Sequence, residues 1–140
     1  MGDPSCIFCR IAAGDVPAAK VLDTAEATAF LDIGPLAPGH TLLIPRQHYE
    51  SILDVSPAIL AAVAAELPRL ARAIINATGA EGLNVLLNTG ASAGQVVPHL
   101  HWHLIPRRAG DHLGFRWNAG RYAEGESDAV RSAIVAALNA

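Results

Sequence analysis

Five short, largely apolar segments of the chain are bounded by glycine, proline and other turn residues, a pattern that predicts β-strands. They cover residues 20–24, 27–33, 40–45, 83–88 and 99–106. Only two residues separate the first segment from the second, which indicates a hairpin. In the last segment polar and apolar residues alternate from 99 to 104, so successive side chains are expected on opposite faces of a strand.

The clearest helical pattern follows the third of these segments. Ser56 can cap a helix, and Pro57 suits the first helical position, where a missing N–H costs nothing. Pro68 is expected to kink or split the helix, and Gly79 to end it. Apolar residues recur at steps of three and four along one face: Ile59, Val63, Leu67, Leu70 and Ile74. A later set predicts a C-terminal helix: Val130, Ile134 and Leu138.

The order of these elements is strands, helix, strands, helix, which predicts an α+β fold with an antiparallel sheet. Residues 107–126 are rich in glycine and show no periodicity, so they are predicted to form a loop. No repeat, low-complexity tract or linker divides the sequence. Residues 1–140 are therefore expected to form a single domain.

Composition limits the class of protein. The 140 residues are 51% apolar and 16% charged, which argues against disorder. The net charge of -3 gives no reason to expect nucleic acid as a partner. The longest apolar run, residues 58–65, is far shorter than the roughly 20 residues of a membrane-spanning helix. With no secretory signal visible at the N-terminus, we expect a soluble cytoplasmic protein without a membrane partner.

Three histidines alternate with apolar residues in the last predicted strand. His99, His101 and His103 would share one face of it, with Trp102 packed behind them. Four interpretations are compatible with this cluster: an incidental group of histidines, a catalytic zinc site, a nucleotide-binding module without catalysis, and nucleophilic catalysis by one imidazole.

The surroundings of the histidines favour an anion site. Residues 88–95 form a glycine-rich turn that can offer backbone N–H groups to phosphate oxygens. No acidic residue lies between Asn84 and Arg108, whereas a zinc hydrolase usually has a carboxylate base near its ligands. A neutral imidazole, with a pKa of about 6.5, is available to attack phosphorus at pH 7.

The segment from His99 to Ile105 resembles the signature of the histidine triad family, H-φ-H-φ-H-φ-φ with φ apolar. Three further blocks extend the resemblance over residues 6–110: CIFCRIAAGDVPAAKV, FLDIGPLAPGHTLLIPRQH and GLNVLLNTGASAGQ. The resemblance implies a five-stranded antiparallel sheet with a long helix, paired in a homodimer with a ten-stranded sheet. It also implies hydrolysis or transfer of nucleoside monophosphates from purine phosphoramidates or dinucleoside polyphosphates.

The matching positions imply a role for each site residue. His101 would form a covalent nucleotidyl intermediate, without a cofactor for the chemistry itself. Asp32 would contact the ribose, and Phe30 and Ile33 the base. The groups around the α-phosphate or the leaving group would be Asn88, Gly94, Gln95 and His103.

A structural zinc site is a second implication of the resemblance. Its ligands would be Cys6, Cys9, His48 and His99, a Cys2His2 set that suits tetrahedral zinc. His99 would then not be free to act as an acid or base. The alternative interpretation is a pair of buried apolar cysteines.

Two further positions carry specific expectations. Val96 stands where family phosphoramidases often have serine and dinucleoside polyphosphate hydrolases threonine. It cannot donate a hydrogen bond to a bridging atom, which leaves the preferred leaving group open, unless Val96 simply packs within the sheet. His40 begins a strand and is expected to form a structural hydrogen bond.

Overall fold

The computed structural model describes residues 2–114 and 118–140. Its strands are β1 (Lys20–Asp23), β2 (Ala27–Leu31), β3 (Thr41–Pro45), β4 (Gly82–Leu87) and β5 (Trp102–Arg107). Its helices are α1 (Ile7–Ala13), α2 (Pro57–Ala64), α3 (Leu67–Thr78) and α4 (Glu126–Leu138). A single 3₁₀ turn, Ala91–Ala93, lies between β4 and β5.

The strands form one antiparallel sheet in the order β1-β2-β3-β5-β4. The predicted α+β class and the five-stranded antiparallel sheet are therefore confirmed. The long helix is split as Pro68 predicts, since α2 ends at Ala64 and Pro68 lies in the first turn of α3. Gly79 ends α3 in the left-handed conformation, at φ 68°.

The two faces of the sheet carry different clusters. Leu43, Trp102 and Leu104 pack with the apolar faces of α2 and α3. Their neighbours Leu42 and Ile44 point the other way and pack with α1. Because Leu42 pairs with His103 and Leu43 with Trp102, the histidine side of β5 is the α1 side of the sheet. Trp102 lies behind the histidines, as the alternation predicts.

The last strand is shorter than predicted, because β5 begins only at Trp102. His99 and His101 precede it, so the prediction that all three histidines lie on the strand is wrong. The register with β3 ends at the pair Leu43 and Trp102. Pro45 has no N–H to extend this ladder, and the N–H of Leu100 donates instead to the carbonyl oxygen of Tyr49, 2.7 Å away.

The N-terminal helix and the chain after β5 complete the fold. The prediction did not contain α1, whose seven residues span barely two turns. Between Arg107 and Glu126 the described residues form neither helix nor strand, although 115–117 of the predicted loop lie outside them. In α4 no described residue is buried. No helix in the described ranges is long and apolar enough to cross a membrane.

Candidate active site

His101 and His103 meet at the wall of one cavity. Their ring centroids are 5.0 Å apart, and both line a space of about 860 Å³. His101 is almost completely buried and lies in the turn before β5, whereas His103 is half-buried on the strand itself. Two imidazoles thus face one volume that is large enough for a nucleotide-sized ligand.

Hydrogen bonding fixes the tautomer of His101. Its Nδ1 lies 2.6 Å from the carbonyl oxygen of His99. A carbonyl oxygen can only accept, so Nδ1 carries the proton and Nε2 keeps its lone pair. Burial lowers the pKa of His101 below the ordinary value of 6.5, which keeps the ring neutral at pH 7. His101 therefore presents an unprotonated nitrogen, as a nucleophile requires.

The tautomer of His103 is fixed through His40. The backbone N–H of Leu36 donates to Nδ1 of His40 at 3.1 Å, so the proton of neutral His40 is on Nε2. That Nε2 lies 2.9 Å from Nδ1 of His103 and donates to it. His103 must then hold its own proton on Nε2, as a donor. The expected structural hydrogen bond of His40 is present.

The cavity wall is mostly apolar. Besides His103, four of the predicted nucleotide-binding residues line it: Phe30, Asp32, Ile33 and Gly94. Ile33 is fully exposed to solvent on one side of the opening, a position open to a flat ring system. Asp32 is the only carboxylate among the described lining residues, and its Oδ2 lies 3.6 Å from Nε2 of His40.

Asn88 and Gln95 are placed differently, since neither lines the cavity in the described part of the chain. The Gln95 amide nitrogen donates to the carbonyl oxygens of Glu50 (2.7 Å) and Val97 (3.1 Å), and its oxygen accepts from the N–H of Gly90. This side chain braces the turn that carries Gly94. The side-chain amide of Asn88 makes one hydrogen bond among the described residues, a 3.5 Å contact with the Gly94 carbonyl oxygen.

Val96 lies at the cavity opening. Its side chain is 88% exposed and lines the cavity together with Val97 and His101. The interpretation that Val96 packs within the sheet is therefore wrong. A hydroxyl-free, apolar surface lies beside the two imidazoles.

The ligand atoms of the four predicted metal-binding residues converge near Nδ1 of His99. Cys6 Sγ and Cys9 Sγ lie 3.4 and 3.5 Å from Nδ1 of His99, and Cys9 Sγ lies 3.3 Å from Nδ1 of His48. Bond lengths of about 2.3 Å to sulfur and about 2.0 Å to nitrogen place tetrahedral ligands about 3.5 Å apart. Nε2 of His99 lies 2.9 Å from the Pro45 carbonyl oxygen and must donate to it, which leaves Nδ1 free to bind a metal. The donor set therefore fits zinc.

Asp32, His40 and His103 form a second close group, which does not suit a metal. A metal bound at Nε2 of His40 would move the proton to Nδ1. That nitrogen already accepts from the N–H of Leu36, so two donors would face each other. This group is a hydrogen-bonded chain.

The HIT domain model matches residues 13–110, which include β1 to β5 and both cavity histidines. The chain belongs to the HIT domain family. This confirms the resemblance drawn from the histidine signature and its flanking blocks.

Two relatives named for an enzymatic activity are similar to this HIT protein. Adenylylsulfatase HINT3 of Arabidopsis thaliana is 41% identical over 108 residues, which are 77% of this chain but 55% of the relative. Adenosine 5'-monophosphoramidase hnt1 of Schizosaccharomyces pombe is 42% identical over 114 residues, 81% of this chain and 83% of that one. The family relatives thus include hydrolases of adenosine nucleotides.

A solved structure of a zinc-bound relative supports the fold. The Zn-bound histidine triad family protein of Mycobacterium smegmatis is 38% identical, with a TM-score of 0.75 and coverage of 96% of both chains. The fold of this HIT protein is that of its family.

Three residues of α1 contribute to the site and were not identified from the sequence. Phe8 lines the cavity, and its ring centroid lies 5.2 Å from that of His101. The neighbouring α1 residues Ile7 and Ile11 line the cavity as well. The helix is too short to show a reliable helical period, so the sequence pattern did not identify its cavity-facing residues.

The buried imidazoles predict a stability that falls in mild acid. Burial, with neighbouring His101 and His40, lowers the pKa of His103 to about 4, although Asp32 opposes this. An unfolded histidine titrates near 6.5, so between pH 6.5 and 4 the unfolded chain binds more protons than the folded chain. The free energy of unfolding therefore decreases as the pH falls through this range.

Urea unfolding at pH 7.5, 5.5 and 4.5 measures the slope of the free energy of unfolding against pH. We expect H103Q to reduce it and H112Q, at an exposed histidine, to leave it unchanged. Equal slopes in all three proteins would contradict this.

Proposed function

We propose that this HIT protein is a nucleotidyl hydrolase or transferase in which Nε2 of His101 attacks the α-phosphate of a purine nucleotide conjugate. The observation that carries the proposal is the tautomer of His101, whose Nδ1–H is held by the His99 carbonyl oxygen at 2.6 Å while the ring lines the cavity. A neutral, oriented imidazole beside a second N–H donor is suited to covalent catalysis at phosphorus.

The reaction would proceed in two displacements. In the first, a bond forms between Nε2 of His101 and the α-phosphorus while the bond from phosphorus to the leaving group breaks, and an amine leaving group departs with a proton from solvent. In the second, water attacks the phosphorus, the P–N bond to His101 breaks, and a nucleoside monophosphate leaves. The imidazole returns to its neutral form as the water proton is released.

The described residues support a position for each part of the substrate. Phe30 and the exposed Ile33 would hold the base between apolar surfaces, and Asp32 would accept hydrogen bonds from ribose hydroxyls. The Nε2–H of His103 would donate to a phosphoryl oxygen, where it stabilises the charge that develops. Gln95 would act indirectly by bracing the turn that carries Gly94, and the weakly held Asn88 amide would turn toward the phosphate.

Zinc would have a structural role in this scheme. Cys6, Cys9, His48 and His99 supply four protein ligands, so a tetrahedral ion would have no open position for water or substrate. Burial raises the pKa of the Cys9 thiol, and a bound cation would reverse this by stabilising the thiolate. Because the ligand set is closed, a zinc-dependent hydrolase is disfavoured relative to catalysis by His101.

The experiment is a substrate panel with and without a chelator. Purified protein is incubated with adenosine phosphoramidate and with diadenosine polyphosphates, and AMP release is followed by chromatography. At saturating substrate we expect AMP release that resists chelation while the protein stays folded. Loss of activity at saturating substrate that zinc restores, with the fold intact throughout, would instead identify a zinc-dependent hydrolase. Tight nucleotide binding without turnover of either substrate would identify a non-enzymatic binding protein.

We also propose that the working form is a homodimer joined through β4. The sheet has two edges, β1 and β4. On β1 Val21 is exposed too, but the charged side chains of Lys20 and Asp23 and an irregular register disfavour pairing, as on many protected edges. On β4 the exposed side chain is the apolar Val85, 45% accessible. Pairing two copies of β4 around a two-fold axis would give a ten-stranded sheet.

The dimer can be tested at Val85. We expect a mass near twice 14.6 kDa for the wild-type protein by light scattering at micromolar concentration. V85K introduces like charges across the two-fold axis and should shift the mass toward that of one chain. The matched control V21K, on the other edge, should leave the dimer intact, since Val21 is also exposed. An active wild-type protein with the mass of a single chain would rule out the dimer.

A further inference from the structure

The short helix α1 depends on contacts at both of its ends. Seven residues are too few for a helix to be stable in isolation. At the N-terminal end, Cys6 and Cys9 belong to the cysteine–histidine cluster. At the C-terminal end, Nη2 of Arg46 donates to the Ala12 carbonyl oxygen at 2.9 Å. The position of α1 is therefore determined largely by groups that lie outside it.

This helix forms one wall of the cavity that we assign to the nucleotide. Ile7, Phe8 and Ile11 line it, and so do residues 16–19, which begin three positions after the end of the helix. Displacement of α1 would consequently remove a large part of the apolar surface available to a base.

Phe8 connects the helix to the nucleophile. Its ring lies edge-to-face against His101, with an interplanar angle of 88° and centroids 5.2 Å apart. It makes a second edge-to-face contact with Phe30, at 5.4 Å, on the base side of the cavity. Such aromatic pairs prefer a defined geometry, so the placement of Phe8 restricts both rings.

His99 provides a second connection, through the backbone. Its side chain is completely buried within the cysteine–histidine cluster, while its carbonyl oxygen accepts the Nδ1–H of His101. One residue thus contributes its ring to the metal ligands and its backbone to the tautomer of the nucleophile. A change in the position of the His99 ring would disturb that hydrogen bond.

We propose that the metal cluster and the nucleotide cavity are one thermodynamically coupled unit, in which zinc binding fixes α1 and Phe8 transmits this order to the cavity. The inference rests on the proposed nucleotide site and goes beyond a purely structural role for zinc. Phe8 is a positioning residue here, because it acts through His101 and Phe30. Coupling between two sites is reciprocal, so zinc should tighten nucleotide binding and nucleotide should tighten zinc binding by the same factor.

Binding of AMP tests the coupling without turnover. Calorimetry gives the Kd of AMP for the zinc-loaded protein and for protein stripped by a chelator, with circular dichroism to confirm that both are folded. We expect AMP to bind about tenfold more tightly to the zinc-loaded form, within the usual range of coupling between sites. Competition with a chromophoric chelator, starting from the zinc-loaded protein, should show zinc bound about tenfold more tightly in saturating AMP.

Two variants separate coupling from general stability. In F8A we expect the ratio of the two AMP affinities to fall to about threefold or less, because the Phe8 connection is lost while the His99 connection and all four ligands remain. L70A removes a buried side chain from the α3 side of the sheet and should lower Tm while preserving the tenfold ratio. Equal AMP affinities in zinc-loaded and stripped wild-type protein would overturn the inference, and so would an unchanged ratio in F8A.

The proposed enzymatic activity can fail independently of this coupling. A protein that binds AMP with the expected zinc dependence but hydrolyses neither substrate class would retain the coupling and lose the catalytic proposal. Absence of AMP binding by the zinc-loaded protein would overturn both.

Discussion

H101A is expected to reduce turnover of adenosine phosphoramidate by about 10⁴-fold or more while AMP still binds. His101 is the only imidazole of the cavity pair whose Nε2 lacks a proton, since the Nε2 of His103 is a donor. Loss of a covalent nucleophile removes the two-step route and leaves mainly positioning and electrostatic effects. Initial rates and calorimetric AMP binding measure the two properties separately.

The nucleophile itself can be identified by trapping. Mass spectrometry of wild-type protein, quenched in base during turnover, should locate a nucleotidyl group on His101. H112A serves as the matched control, because His112 is an exposed histidine that does not line the cavity, and its rate should equal that of the wild-type protein. An adduct on any other residue would refute the assignment.

Removal of zinc is expected to lower the stability of the protein far more than its chemistry. A ligand present at a thousand times its Kd stabilises the native state by about 4 kcal/mol. For a domain of this size, such a loss lowers Tm by roughly 10–15 °C. Elemental analysis should give about one zinc per chain, and calorimetric scans of loaded and stripped protein should give the difference in Tm.

Ligand variants distinguish the cluster from ordinary buried cysteines. C9A should abolish the zinc dependence of Tm, because it removes one of the four ligands. The control C9S retains a potential oxygen ligand and should bind zinc more weakly than the wild-type protein but more tightly than C9A. No zinc after purification without chelator, together with no uptake on its addition, would exclude the metal site.

The elements predicted well from the sequence are those specified locally. Ser56 and Pro57 begin α2 as expected, with the Ser56 hydroxyl accepting from the N–H of Ile59 at 3.3 Å. Turn residues and apolar runs likewise predicted all five strands. Most predicted strand boundaries lie within one or two residues of the observed ones. These signals lie within a few positions of the structure they specify.

The features that sequence reasoning missed depend on distant residues. Strand β5 begins only after His101, because Pro45 on the neighbouring strand β3 has no N–H with which to extend the ladder. Helix α1 is held by Arg46, which directly follows β3, and by His99, in the segment before β5. The role of His40 depends on His103, 63 positions away. Residue types suggested the chemistry of the site, but its proton arrangement follows only from tertiary contacts.

The proton on Nε2 of His103 is ultimately determined by the main-chain N–H of Leu36. The side chain of Leu36 is 58% exposed, so nearly every amino acid would supply the same donor from this position. Proline alone would not, because it lacks an N–H. Any of the nineteen amino acids other than proline could therefore stand at position 36. A comparison of side chains among relatives would then show no preference there. In a scan of all substitutions at position 36, only the change to proline should impair the protein.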